Sequence, residues 1–178
     1  GFASEVAVHT AALGSTSDRQ VEMIYFHGHN VESAVRGEDF LSNKPEEVAV
    51  VPNVPQVALD GQVPTSWAAV DVLKLSVNGA ERETLRGARQ LLSQRRICSV
   101  LMHTQKAARG RDATGSSTGR SAFSADLLQL LSEGDMDVFT HRDEGPQGGP
   151  VHPATTAADL DRVFDDPKLS QRDYILAR

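Results

Sequence analysis

The chain has 178 residues, of which 39% are hydrophobic and 24% are charged, and its net charge is −6. These values predict one soluble globular domain, and no apolar run approaches the ~20 residues that cross a bilayer. The acidic balance excludes whole-chain attraction to nucleic acid, which is not expected as a partner. The lone Cys98 excludes an internal disulfide and a cysteine-based zinc cluster, and its apolar neighbours predict a core position. The compartment stays open, since an organelle and the periphery of a larger assembly both suit these features.

The first third of the chain is predicted to be rich in strands. Residues 5–13 and 20–27 are rich in β-forming side chains, and residues 14–18 between them are dense in turn formers. Residues 47–60 are rich in valine but contain two prolines. Because proline cannot donate to a sheet, this segment is predicted to be an edge strand or an extended connection.

The middle of the chain predicts a strand–helix–strand unit. Residues 70–77 are apolar almost throughout, which is typical of a central parallel strand buried on both faces. Residues 80–95 have apolar positions at helical spacing, with charged residues such as Glu81 predicted to face water. Residues 97–104 form a second apolar run. We therefore predict a βαβ unit over residues 70–104, with parallel strands and a right-handed crossover.

In the last third, a helix is predicted over residues 121–134, and strands over residues 136–141 and 172–178. Flexible loops are predicted over about residues 106–120 and 144–157. Taken together, these elements predict a single α/β domain over residues 1–178. Its sheet is expected to be mixed but mainly parallel, with helices flanking it. Trp67 is predicted to pack over the sheet edge.

Several segments resemble the FkbM-type S-adenosylmethionine-dependent methyltransferases. The family pattern runs roughly Leu-Asp, then Asp-x-x-Lys-Ile-Asp-Val-Glu-Gly-x-Glu, then a helix with Leu-x-Gly-Ala. The matching segments are "HTAALGS", "VPQVALD", "DVLKLSVNGAERETLRGARQLL", "VLMHTQ" and "YILAR". The resemblance covers most of residues 5–178 and is most specific over 71–105. It implies a Rossmann-like methyltransferase fold that is incomplete at its amino terminus.

The resemblance also implies roles for particular residues. In an active enzyme, four residues would be catalytic: Asp71, Lys74, Glu81 and His103. Four would lie near the S-adenosylmethionine cofactor: Asp60, Ser76, Asn78 and Gly79. His103 follows an apolar strand and is interpreted as a hydrogen-bonded edge histidine, with a proton-shuttle role only in an active enzyme.

The departures from the family pattern point away from catalysis. Ser76 and Asn78 stand where the family has carboxylates, and neither side chain can act as a general base near neutral pH. The family's glycine-rich cofactor turn and its ribose-binding acid would lie before Gly1, where we expect processing, truncation or a missing upstream portion. We therefore predict a degenerate methyltransferase-like domain without cofactor, serving as a structural or interaction subunit among other protein subunits. The alternative is an active O-methyltransferase whose cofactor half lies upstream.

Two further motifs carry weaker hypotheses. The histidines of "HGH" at residues 27–29 have a spacing that suits a metal, but no third ligand accompanies them, so no metal site is predicted. The "TGSSTGRS" segment at residues 114–121 approaches a phosphate-binding loop and is interpreted as a flexible linker. Its cationic surroundings, residues 106–120, leave a phosphate- or nucleic-acid-binding module as a third possibility.

Overall fold

The computed structural model describes residues 6–26, 33–35, 48–103, 118–141, 151–165 and 174–178. Within these ranges the strands form two sheets. The first sheet has the strand order β1-β4-β2-β3, in which β1 and β4 are parallel and the other pairs are antiparallel. Its strands are β1 (Ala12–Leu13), β2 (Arg19–Phe26), β3 (Ala34–Val35) and β4 (Val48–Val57).

Strand β4 lies inside the first sheet, between β1 and β2, so the prediction of an edge strand or extended connection for residues 47–60 was wrong. The register between β2 and β4 shifts between Val21 and Met23. At this irregularity β4 carries Pro52 and Asn53, and Asn53 has a left-handed φ of 60°. An irregular position of this kind admits proline in a paired strand.

The second sheet has the strand order β5-β6-β9-β7-β8. Its strands are β5 (Leu73–Leu75), β6 (Val100–His103), β7 (Val138–His141), β8 (Val151–Pro153) and β9 (Tyr174–Ala177). Strands β5 and β6 are parallel, whereas β9 runs antiparallel to both β6 and β7. The predicted mainly parallel, Rossmann-like sheet was therefore wrong: the described strands form two mixed sheets whose pairs are largely antiparallel.

Four α-helices lie in the described ranges: α1 (Glu81–Arg86), α2 (Arg89–Ser93), α3 (Thr118–Ser132) and α4 (Ala157–Asp165). The single helix predicted over residues 80–95 is thus two short helices that break at Gly87 and Ala88. The parallel pairing of β5 with β6 on either side of α1 and α2 confirms that part of the βαβ prediction. Helix α4 was not predicted. None of these helices has the length and apolarity required to cross a membrane.

The helices pack against one face of the second sheet. Alternate residues of β6, β7 and β9 are buried there, and they join a core with apolar residues of α1, α2, α3 and α4. The largest fully buried side chains include Leu75, Leu85, Leu92, Leu127 and Leu131. Strand β5 has only this one buried face, since Val72 just before it is 60% exposed and Lys74 is exposed. The prediction of a strand buried on both faces was therefore wrong.

Two predicted core or packing residues lie on the surface instead. Cys98 is exposed, because its neighbour Ile97 takes the inward position and pairs with Val70. Trp67 is 56% exposed. Its segment is held through the main chain, where the Arg96 guanidinium donates to the Trp67 carbonyl oxygen at 2.8 Å.

Candidate functional site

The turn after β5 is the first part of the candidate site. Asn78 and Gly79 both have left-handed backbone conformations, with φ of 48° and 105°. Glycine adopts this conformation without steric cost, and asparagine tolerates it better than most residues. These conformations allow the chain to leave the strand sharply and enter the helix. Helix α1 begins directly after the turn, at Glu81.

The Asn78 side chain connects this turn to the first sheet. It is only 7% exposed, and its Nδ2 donates to the Ser33 carbonyl oxygen at 2.8 Å. Ser33 immediately precedes β3. The amide that the family resemblance would place near a cofactor therefore bonds to the main chain of a neighbouring segment.

Glu81 closes the same turn from the helix side. Its side chain is fully buried, so the prediction that it faces water was wrong. The reason is local, because Glu81 Oε2 accepts a hydrogen bond from the Gly79 amide at 3.0 Å. A carboxylate that binds main-chain N–H groups at the start of a helix stabilises that start. As a candidate catalytic group, this carboxylate lies inside the protein.

Asp60 performs a similar task for α2. Its two carboxylate oxygens accept hydrogen bonds from the amides of Gln90 at 3.0 Å and Leu91 at 2.9 Å. Its own amide donates to the Gly87 carbonyl oxygen at 2.8 Å. This external cap explains why the predicted single helix restarts at α2, since the first amides of a helix have no intrahelical partner. Asp60 therefore positions a helix.

The other predicted residues lie along the exposed side of β5 and at the end of β6. Asp71 and Ser76 are exposed, and the exposed Lys74 reaches only the Leu75 carbonyl oxygen, at 3.4 Å. The register pairs Leu75 with Met102, so Ser76 and His103 each follow one position later, at the carboxyl ends of the two strands. The structure thus joins Gly79 to Glu81 by a hydrogen bond. It does not bring the eight predicted residues to one centre.

Two concave regions adjoin the turn. The first, here called the junction cavity, has a volume of about 170 Å³ and lies between the first sheet and the start of α1. Its lining consists of Leu13, Gly14, Ser15, Arg19, Val35, Gln56, Ala80, Arg82 and Glu83. None of these residues was predicted to be functional. The one available signal was the "GSTSD" turn at residues 14–18, whose glycine follows a strand.

The second region, here called the arginine groove, has a volume of about 670 Å³. Its lining consists of Ser15, Asp60, Arg86, Arg89, Gln90, Ser93 and Glu133. The Arg89 guanidinium makes two hydrogen bonds of 2.7 Å to the Glu133 carboxylate, which raise the pKa of Arg89. Arg86 bonds to Glu83 and to Asp126. The positive charge of this groove is therefore already balanced by carboxylates.

These residues do not fit S-adenosylmethionine. The Asp60 carboxylate and the Asn78 amide, which the resemblance assigns to the cofactor, are bonded to main-chain groups. The junction cavity is smaller than the ~300 Å³ at which pockets for organic ligands begin. The arginine groove is large enough, but it lacks the apolar wall that usually holds an aromatic ring.

The histidines of residues 27–29 lie outside the described residues, as do residues 114–117 of the loop that approaches a phosphate-binding motif. Within the ranges that the structure describes, no three His, Cys, Asp or Glu side chains gather as a metal site would require. Comparison with known protein families, with curated proteins and with solved structures gives no match to this chain.

Proposed function

We propose that this chain, whose sequence resembles methyltransferases most specifically over residues 71–105, is a domain without catalytic activity that serves as a structural or interaction subunit of a larger complex. The observation that carries the proposal is the bonding at the turn after β5. The Asn78 amide holds Ser33, and the Glu81 carboxylate holds Gly79 inside the protein. An active enzyme would need polar groups at this position that are free to reach a substrate.

The neighbouring polar residues support the same proposal. Asp60 caps α2, so removing or redirecting its carboxylate would leave two helix amides without partners. Lys74 and Asp71 lie on the exposed side of β5, whereas Glu81 is buried. Catalysis requires an acid or base within hydrogen-bonding reach of one reacting atom, and these three side chains differ in exposure, with Asp71 and Lys74 facing outward and Glu81 inside the protein.

A role in an assembly is supported by apolar side chains on the surface. Trp67 and Val72 are 56% and 60% exposed, and they lie on one segment with the exposed Ala68 and Ala69. A short segment that concentrates exposed apolar side chains in this way is a candidate protein–protein contact surface. Tryptophan in particular is enriched among the residues that dominate binding energy at such surfaces.

Calorimetric titration of the natively purified protein with S-adenosylmethionine and with S-adenosylhomocysteine tests the loss of catalysis. We expect no saturable heat from either compound. Micromolar binding would contradict the proposal and favour an active O-methyltransferase. In that case the Asp60→Asn variant should weaken binding, and Asp135→Asn is the matched control, because Asp135 is 73% exposed and pairs only with Arg95 among the described residues.

The assembly role requires a second experiment. The tagged chain, expressed in its native cells, should purify in a complex of fixed stoichiometry, as measured by sedimentation and native mass spectrometry. We expect the Trp67→Ser variant to be released from that complex, because it removes the largest exposed apolar side chain of the patch. Tyr25→Ser, a variant at a 44% exposed aromatic residue on β2, is the control and should remain bound. A wild-type chain that is monomeric in its native cells would refute the role.

A further inference from the structure

The junction cavity has a lining that the proposed structural role does not use. It collects two arginines from separate elements, since Arg19 begins β2 and Arg82 lies in α1. Arg19 is exposed and forms no ion pair with another described residue. Arg82 has its Nε 3.7 Å from each of its two nearest carboxylates, Glu83 and Asp126, which is too far for a strong hydrogen bond.

Two guanidinium groups on one small cavity favour an oxyanion. Each guanidinium presents N–H donors in a planar fork that matches two oxygens of a carboxylate or phosphate. The arginine groove differs in this respect, because Arg86 and Arg89 bond directly to carboxylates there. The positive charge at Arg19 is therefore available to a ligand, whereas that of Arg89 is not.

The cavity also contains hydrogen-bond acceptors. Gln56 is 8% exposed, and its Nε2 donates to the Thr16 carbonyl oxygen at 3.1 Å, which leaves its Oε1 as the group that can bind a ligand. A Cβ at Gly14 would lie 2.3 Å from Gln56 Cδ, so glycine at this position makes room for the glutamine side chain. The Glu83 carboxylate also lies on the lining, but it already accepts a hydrogen bond from Arg86. A ligand that satisfies Gln56 Oε1 must carry a hydrogen of its own.

We propose that the junction cavity binds a small oxyanion that carries an O–H group, namely hydrogen phosphate. Its guanidinium groups bind the charged oxygens, and Gln56 Oε1 accepts the O–H hydrogen. The volume of about 170 Å³ suits this ligand, because a water molecule occupies roughly 30 Å³ and an oxyanion replaces only a few of them. Sulfate has the same shape but no O–H at neutral pH, so the site should discriminate against it.

Calorimetric titration of the full chain with inorganic phosphate and with sulfate, at constant ionic strength, tests the proposal. We expect saturable phosphate binding and sulfate binding that is weaker by about tenfold, the effect of one unsatisfied buried acceptor. The Arg19→Ala variant should weaken the binding of both anions by about tenfold. Arg162→Ala is the matched control, because Arg162 is exposed on α4 and lines neither the cavity nor the groove.

A second variant separates the acceptor from the charge. Gln56→Met keeps the length of the side chain but removes the amide oxygen, so it should bring the affinities for phosphate and sulfate close to each other. Absence of saturable phosphate binding, equal binding of both anions by the wild type, or equal losses in Arg19→Ala and Arg162→Ala would each overturn the proposal. Methyl phosphate is a monoester whose last P–O–H proton has a pKa of about 6, so at neutral pH it should bind more weakly than inorganic phosphate, and equally tight binding would contradict the role of the O–H group.

Discussion

The contact between Gly87 and Gly14 offers a sharp test of how the two sheets are joined. Gly87 follows α1 and has an ordinary helical φ of −74°, so alanine there requires no backbone strain. A Cβ at this position would nevertheless lie 2.0 Å from the Gly14 carbonyl oxygen and 3.2 Å from the Ala58 Cα. Both neighbours are backbone atoms. We therefore expect Gly87→Ala to destabilise the protein although it improves helix propensity.

The magnitude follows from two opposing effects. A Cβ needs at least 3.0 Å from its neighbours, so the Gly14 backbone or α1 must move by about 1 Å. Gly14 resists this movement because its amide donates to the Val57 carbonyl oxygen at 3.0 Å. Forced repacking of this kind costs about 1–3 kcal/mol. The lower entropy of the unfolded alanine chain returns only about 0.4–1 kcal/mol. The net loss in the free energy of unfolding is thus about 1–2 kcal/mol.

Urea unfolding of the wild type and two variants measures this loss. Gly61→Ala is the matched control, because a Cβ at Gly61 would have nothing within 4 Å, and it should be neutral or slightly stabilising. We expect a lower midpoint for Gly87→Ala with an unchanged slope, and a melting temperature lower by about 2–4 °C per kcal/mol. If Gly87→Ala is as stable as Gly61→Ala, the close approach of Gly87 to Gly14 is refuted.

Three further outcomes are expected from the capping and turn residues. Asn78→Gly keeps the left-handed backbone but loses the bond to Ser33, so it should lower the free energy of unfolding, measured in urea, by about 1 kcal/mol. Asn78→Val should lower it further, because a β-branched residue is strained in a left-handed conformation. Equal stabilities of the two variants would argue against a left-handed turn. Asp60→Asn should cost about 1–2 kcal/mol and speed amide exchange at the start of α2, whereas unchanged exchange would contradict the cap. Hydrogen bonds from Thr156 lower the pKa of Asp159 from 3.8, so this carboxylate stabilises the fold above pH 3.8 and loses that effect as the pH falls through its folded pKa. The difference in urea midpoint between the wild type and Asp159→Asn, followed downward from about pH 6, should therefore narrow only below pH 3.8.

Local patterns in the sequence predicted many elements correctly. Residues 20–27 contain all of β2 except its first residue, residues 121–134 contain most of α3, and residues 136–141 contain β7. Each segment carries a regular hydrophobic spacing or a strong turn signal. The parallel pairing of β5 with β6 also followed, since two apolar runs separated by helices favour a crossover connection. Local periodicity is sufficient for predictions of this kind.

The site was harder to predict because its bonds run from side chains to main-chain groups, some of them distant in sequence. Glu81 is a charged residue near the start of a helix, which usually faces solvent, yet its carboxylate bonds to the Gly79 amide and is fully buried. Asp60 caps a helix that begins some thirty residues later. The sequence places a carboxylate at each position, but it does not state which main-chain amides will be near enough to bind it. Charged residues that cap helices therefore look the same, in sequence, as charged residues that face solvent.

The main error was the prediction of a mainly parallel sheet, and the position of β9 explains it. An apolar run does not specify whether a strand runs parallel or antiparallel to its neighbours, and the chain inserts β9 antiparallel between β6 and β7. Burial then alternates along β6, where Val100 and Met102 are buried while Leu101 and His103 are only half-buried. This alternation is typical of a sheet that is covered by helices on one face. Leu101 is apolar all the same, which is why the run resembled a strand buried on both faces. Side-chain polarity alone could not reveal that one face lies outside the core.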